Sequence, residues 1–186
     1  MGTTALNLPN LLSLSRVFLA PLVVLFLTLR IQWGDLIAGA VFILAALTDT
    51  ADGYIARKKG IVTNLGKFID PLADKILITA ALVGLVELQR ISAWIVVVIL
   101  AREFIVTGLR MIAAAEGVVL AASKGGKTKT VVQIVAIVMM IFNLPFATVA
   151  MWVALILTVW SGMDYLVKGW GLLSAPPSTR TGQGPI

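Results

Sequence analysis

The chain has no cysteine and no histidine. Their absence excludes disulfides, thiolate metal centres, cysteine nucleophiles and imidazole bases. Any catalysis must run on Asp, Glu, Lys, Arg, Ser, Thr or Tyr, with or without a metal held through oxygen. Charge is also scarce: 13% of the residues are charged, against roughly 25% in soluble domains. Only nine of the 186 residues are acidic, while 59% are hydrophobic. Together these values describe one integral membrane domain rather than a soluble one. No internal repeat is visible.

The net charge is +6. The cations cluster at the ends of apolar runs and form no soluble basic face. They suit anionic lipid or a phosphorylated substrate, and no nucleic-acid partner is expected. The first ten residues, MGTTALNLPN, lack the basic start of a signal peptide. They are expected to remain in the mature protein.

Apolar periodicity and length predict six membrane helices, at about 8–29, 33–56, 65–88, 91–115, 130–144 and 146–167. Pro9 suits a first helical turn, Pro21 is a candidate kink, and Asn143-Leu144-Pro145 marks a tight corner. An even number of spans puts both termini on one side. That side carries Arg57, Lys58, Lys59, Lys67, Lys124, Lys127, Lys129, Lys168 and Arg180; the other carries Arg30 and Arg90. The positive-inside rule then makes both termini cytoplasmic. The expected fold is an all-α integral membrane bundle of six transmembrane helices, formed by residues 1–173. Residues 174–186, rich in Pro, Gly and polar side chains, read as a disordered tail.

The most informative stretch is 49–74, DTADGYIARKKGIVTNLGKFIDPLAD, which holds four of the nine acids. An ionisable residue within a membrane span marks function by default. Asp49 and Asp52 are three apart, and Asp70 and Asp74 four apart, so each pair shares a helix face. Counted from a connection centred near Ile61, Asp52 and Asp70 each lie nine residues out, and Asp49 and Asp74 lie twelve and thirteen out. At 1.5 Å per residue the four carboxylates fall at matched depths of about 13 Å and 18–20 Å. If both faces turn inward, four carboxylates meet just below the surface. Their repulsion calls for a compensating cation, and oxygen-only ligands suit Mg²⁺, Mn²⁺ or Ca²⁺. The plainer alternative pairs these acids with Arg57, Lys67 and Lys75 at the helix ends. Gly53, Ala56 and Gly66 leave room beside the acids, either for a ligand or for close helix packing. Arg57 offers a fork suited to phosphate.

The pattern Asp49-x-x-Asp52-Gly53-x-x-Ala56-Arg57, eight residues, then Gly66-x-x-x-Asp70-x-x-x-Asp74 resembles the signature of the CDP-alcohol phosphatidyltransferase family. The resemblance extends through Asn7-Leu8-Pro9-Asn10, Ser13 and Arg16 to Arg102-Glu103-Phe104, Gly108-Leu109-Arg110, residues 121–130, Gln133 and Ser161-Gly162-x-Asp164-Tyr165, where it is most like the glycerophosphate-using members. Thr is commoner than Ser at the Ser13 position in those members.

The resemblance implies six membrane helices, a homodimer, and two divalent metal ions, Mg²⁺ or Mn²⁺. It implies transfer of a phosphatidyl group from CDP-diacylglycerol to sn-glycerol 3-phosphate with release of CMP, at a bacterial cytoplasmic membrane and with the active site facing the cytoplasm. By position, Asp49, Asp52, Asp70 and Asp74 would ligate metal, with Asp74 the base for the attacking hydroxyl or a ligand only. Asn10, Ser13, Asp52, Gly53, Ala56, Arg57 and Gly66 would meet the nucleotide.

A phosphorylated acceptor needs cations, and Arg110, Ser123, Lys127 and Lys129 form the expected clamp. The lysines also read as topology and lipid-contact signals, and Arg110 as the partner of Glu103 seven residues earlier. Three rival readings of function are another acceptor (inositol phosphate, serine or phosphatidylglycerol) and, outside the class, a cation transporter or a structural membrane scaffold, the last made costly by four buried acids.

Overall fold

The computed structural model describes residues 8–59, 64–115 and 124–173, with side chains outside 8–10, 12, 49–59, 64–71, 115, 124, 125, 127 and 168–173. The described residues form six helices and no strand: α1 Leu8–Thr28, α2 Gly34–Lys59, α3 Asn64–Glu87, α4 Ala93–Ala115, α5 Lys124–Ile141 and α6 Ala147–Leu173. This is the expected number and order. α1 continues through Pro21 as one helix. The fifth helix starts six residues earlier than its apolar pattern suggests, so the Lys/Gly stretch forms its first turns. Lysine is a good helix former. Lys129 also points inward and is 2% exposed, so an inward ion pair anchors this end where apolar periodicity is missing.

Three short connections, 29–33, 88–92 and 142–146, close one end of the bundle. α3 and α5 both stop in Schellman turns. Gln89 N–H donates to Val86 O and Arg90 N–H to Leu85 O; Asn143 N–H donates to Met140 O and Leu144 N–H to Met139 O. Gln89 (φ 57°) and Asn143 (φ 49°) fill the left-handed position where glycine is usual. Asparagine tolerates that conformation better than most side chains.

Arg90 ties this end together. Its guanidinium donates to Asp35 Oδ2 in the first turn of α2 (2.7 Å) and to the carbonyl of Ile141 at the end of α5 (2.7 Å). One side chain thus satisfies a terminal helix carbonyl and a carboxylate from two other connections.

α1 packs most extensively against α2 and α3, and α6 against α5 and α4. The interior is rich in alanine: Ala20, Ala38, Ala45, Ala81, Ala136 and Ala154 are each at most 1% exposed. Small residues let helices approach closely where lipid removes the hydrophobic drive between them. Gly84 shows the same constraint, because a Cβ there would lie 2.9 Å from Leu27 Cδ1. Phe42, Leu82, Leu85, Ile99, Ile137 and Met151 fill the remaining core.

The exterior is apolar as well. Trp33, Trp94, Trp152 and Trp160 are all more than half exposed, as are Phe18, Leu44, Leu47 and Ile156. Among the described residues, Ala147–Val167 is long and apolar enough to cross a membrane; Ser13–Thr28, Gly34–Thr48 and Thr128–Ile141 are shorter apolar stretches.

Arg90→Met should lower stability by about 1 kcal/mol, since both charges are partly exposed. Thermal unfolding in detergent checks this through a midpoint a few degrees lower. An unchanged midpoint would show that the Arg90 clasp carries no stability.

Candidate active site

Because 29–33, 88–92 and 142–146 all lie at one end, the polar residues inside the helices can be compared by depth. Arg16, Lys75 and Lys129 each lie fifteen residues from the centres of their connections, Ile31, Arg90 and Leu144. Glu103 and Thr158 lie thirteen and fourteen residues away. At the helical rise these positions share a stratum about 20–23 Å from the closed end. Asp74, sixteen residues from Arg90, borders it.

Glu103 on α4 is the centre of this stratum and is 2% exposed. Lys75 of α3 donates to its Oε2, and Lys129 of α5 donates to its Oε1. Arg102 also donates to Oε1, at 3.2 Å. Arg102 is fixed in turn from α6: its Nε donates to the Thr158 carbonyl (3.1 Å) and Nη2 to Ser161 Oγ (2.8 Å), with its guanidinium 5.9 Å from the Tyr165 ring centroid. A side chain at Gly162 would collide with the Arg102 stem, its Cβ lying 2.7 Å from Cγ. The stem lines an outward apolar groove with Ile105, Met163 and Leu166, while the head turns inward. Three helices, α3, α4 and α5, therefore meet at one carboxylate, and Arg102 ties α6 to it. Removing one partner of such a buried pair costs about 3–5 kcal/mol, because an unpaired charge is left behind.

Two further buried groups lie nearby in depth. Gln133, one turn beyond Lys129, is fully buried, and neither its Nε2 nor its Oε1 has a partner among the described residues. The Thr158 hydroxyl is likewise buried and unpartnered among them.

The acidic signature lies on two consecutive helices that open away from the closed end. Asp49, Asp52, Gly53, Ala56 and Arg57 are in the last part of α2; Gly66, Asp70 and Asp74 are in the first half of α3. The side chains of residues 49–59 and 64–71 lie outside the described set. Asp74 is half-buried, and Lys75 Nζ lies 3.8 Å from its Oδ2. The pairing with Lys75 considered as the plainer alternative thus exists at Asp74, and it joins Asp74 to the Glu103 cluster. Among the described residues no three His, Cys, Asp or Glu side chains converge. The donor set of the signature is nevertheless all oxygen, which fits a hard divalent cation.

The other expected site residues are distributed as follows. Asn10 is in α1, and Ser13 is buried, accepting from Arg16 Nη2 at 3.0 Å. Arg110 is exposed on α4, whereas Lys129 is buried on Glu103. Lys127 is in the first turn of α5, its side chain outside the described set, and Ser123 lies outside the described residues. Glu103 pairs with Lys75, Lys129 and Arg102 rather than with Arg110.

Sequence reasoning undervalued Lys75 and the role of Glu103. Equal distance from the three short connections was the signal that could have joined them.

An all-helical chain with an apolar exterior, a buried cationic stratum and paired aspartates on consecutive helices has the parts of a membrane-associated enzyme that acts on phosphate groups. The chain belongs to the CDP-alcohol phosphatidyltransferase family, whose sequence profile matches residues 6–160. That family is membrane-associated and generally uses a divalent metal. The chain is 46% identical over 187 residues to the Bacillus subtilis (strain 168) protein named CDP-diacylglycerol–glycerol-3-phosphate 3-phosphatidyltransferase, covering 90% of this chain and 97% of that protein. It is 42% identical to a Mycobacterium tuberculosis (strain H37Rv) protein named "Probable phosphatidylglycerophosphate synthase", covering 87% and 81%. A Salmonella choleraesuis protein bearing the same name as the Bacillus one is 36% identical, covering 86% and 93%.

Gly162→Ala should push Arg102 off its α6 contacts and destabilise the protein by about 1–3 kcal/mol, the usual range for overpacking. The thermal midpoint of the purified protein reads this directly. No change would mean that the Arg102 stem yields without loss.

Proposed function

We propose that this chain transfers the phosphatidyl group of CDP-diacylglycerol to sn-glycerol 3-phosphate, giving phosphatidylglycerophosphate and CMP. The observation that carries the reading is the complete acidic signature on α2 and α3, running from Asp49 to Asp74 and opening towards the same end as the Lys75–Glu103–Lys129 cluster. The names of relatives covered over most of their length support this donor and acceptor.

In the reaction, a hydroxyl oxygen of the glycerol phosphate attacks the phosphorus that bears the diacylglycerol. The bond from that phosphorus to the bridging oxygen breaks in line, and CMP leaves with the bridging oxygen. Asp49, Asp52, Asp70 and Asp74 would hold two divalent ions, Mg²⁺ or Mn²⁺, which supply charge neutralisation of the diphosphate and the leaving group. Asp74 takes the proton of the attacking hydroxyl. Gly53, Ala56 and Gly66 let the cytidine approach, with Asn10, Ser13 and Asp52 beside it, and Arg57 holds its phosphates. Arg110, Ser123, Lys127 and Lys129 receive the acceptor phosphate.

The same reading places six spans across a bacterial cytoplasmic membrane, as a homodimer; the expected polar tail, 174–186, lies outside the described residues. The open end, rich in Lys and Arg, faces the cytoplasm. Exposed Trp33 and Trp94 near the closed end suit the opposite interface.

Purified protein in detergent, given Mg²⁺ or Mn²⁺, CDP-diacylglycerol and a panel of acceptors, should release CMP with glycerol 3-phosphate. No CMP with any acceptor would remove the enzyme reading, and CMP only with serine or inositol phosphate would change the acceptor. Asp70→Asn should abolish turnover with an unchanged elution profile and thermal midpoint. Chelation should stop CMP release, and added Mg²⁺ or Mn²⁺ should restore it. Turnover retained by Asp70→Asn would take that residue out of the metal site.

A further inference from the structure

Glu103 has more cationic partners than a structural ion pair needs. It is one carboxylate, 2% exposed, and it receives Lys75, Arg102 and Lys129. Buried ion pairs are weak devices for stability, and an excess of buried positive charge is costly. Packing alone therefore does not account for three cations at this depth.

The connections of the cluster suggest what it does. Lys75 stands between two carboxylates, donating to Glu103 Oε2 and lying 3.8 Å from Asp74 Oδ2. Lys129 meets the other oxygen of Glu103. Asp74, Lys75, Glu103 and Lys129 thus form one chain of charges across α3, α4 and α5. Arg102 fixes the middle of that chain to α6 through Thr158 and Ser161. An ammonium has three donors, and Glu103 occupies one of those on Lys129. One turn further along α5, the fully buried Gln133 offers a donor and an acceptor with no partner among the described residues. Buried polar atoms of this kind are normally satisfied, so the interior beside Lys129 is built for polar occupants.

We propose that Glu103 is a positioning residue that sets the distance between Asp74 and Lys129. The inference rests on the proposed function, in which Asp74 takes the hydroxyl proton and Lys129 helps hold the phosphate of the same acceptor. A lysine stem is flexible, and two neighbouring ammonium groups repel. The Glu103 carboxylate holds both lysines, one on each oxygen, and so fixes the span between the hydroxyl end and the phosphate end of the acceptor. The nucleotide-linked donor is met chiefly by the residues of α1 and α2 and by Gly66, so it depends on that span far less than the acceptor does.

The test is steady-state kinetics of Glu103→Gln in detergent with a divalent metal, each substrate varied at saturating levels of the other. KM for glycerol 3-phosphate should rise by about tenfold or more, with KM for CDP-diacylglycerol changing by less than about twofold. Lys75→Met cuts the links to both Glu103 and Asp74, so it should lower kcat and also raise KM for glycerol 3-phosphate, with KM for CDP-diacylglycerol changing by less than about twofold.

Glu103→Asp, which keeps the charge on a shorter stem, provides the second variant if Glu103→Gln does not fold. Its thermal midpoint should stay near that of the unsubstituted protein, while KM for glycerol 3-phosphate rises. A lower midpoint with both KM values and kcat unchanged would make Glu103 a structural pair and overturn the proposal. An equal rise in both KM values would also overturn it. If the unsubstituted protein releases no CMP with glycerol 3-phosphate, the acceptor reading itself falls; that result is read without any variant.

Discussion

The structure depends on keeping charge inside a bundle whose outer face is also apolar. Glu103 bears most of this constraint. In a medium of low dielectric an isolated carboxylate is costly, and so is an isolated ammonium. Glu103, Lys75, Lys129 and Arg102 are tolerable only together, and that mutual need draws α3, α4 and α5 to one point while Arg102 reaches α6. Local sequence follows from it. Gly162 leaves the space that the Arg102 stem occupies, and Lys129 fixes the start of α5 where apolar residues are lacking.

The two ends of the bundle are built by different means. At the closed end the connections are short, and the chain is turned by left-handed residues and Schellman bonds. Arg90 binds one carboxylate and one terminal carbonyl there. At the other end lie the last part of α2, the first part of α3 and the start of α5, which carry the acidic signature and the lysines. Short, hydrogen-bonded connections at the closed end let five helices place polar groups at a common depth although no side chain spans all of them. Equal distances of Arg16, Lys75 and Lys129 from their connections are the trace of that arrangement.

Much of this was legible in the sequence, for identifiable reasons. Helix number and most boundaries follow from the lengths of the apolar runs and from the Asn143-Leu144-Pro145 corner. The aspartates were legible because acids are so rare here that four within twenty-six residues cannot be missed. The partner of Glu103 was not. Spacing along α4 suggests Arg110, seven residues on, because sequence spacing reports neighbours on the same helix. The actual partners lie twenty-eight and twenty-six residues away on α3 and α5, and only packing brings them in. The start of α5 was hidden for a related reason, since its anchor is a buried charge rather than an apolar stripe.

α6 shows why the stratum takes the form it does. It contains the one stretch among the described residues that is long and apolar enough to cross a membrane, yet it takes part in the polar network. It does so with a hydroxyl, a main-chain carbonyl and a glycine: Ser161, Thr158 and Gly162. None of these needs a counter-charge. The ionisable members of the stratum are carried by α1, α3, α4 and α5, and the acid pair 49 and 52 by α2. Through these three residues α6 adds no charge of its own to the stratum. The second carboxylate of the cluster comes from α3, where Asp74 Oδ2 lies 3.8 Å from Lys75 Nζ, so the polar interior continues from Glu103 towards the helices that carry the acids.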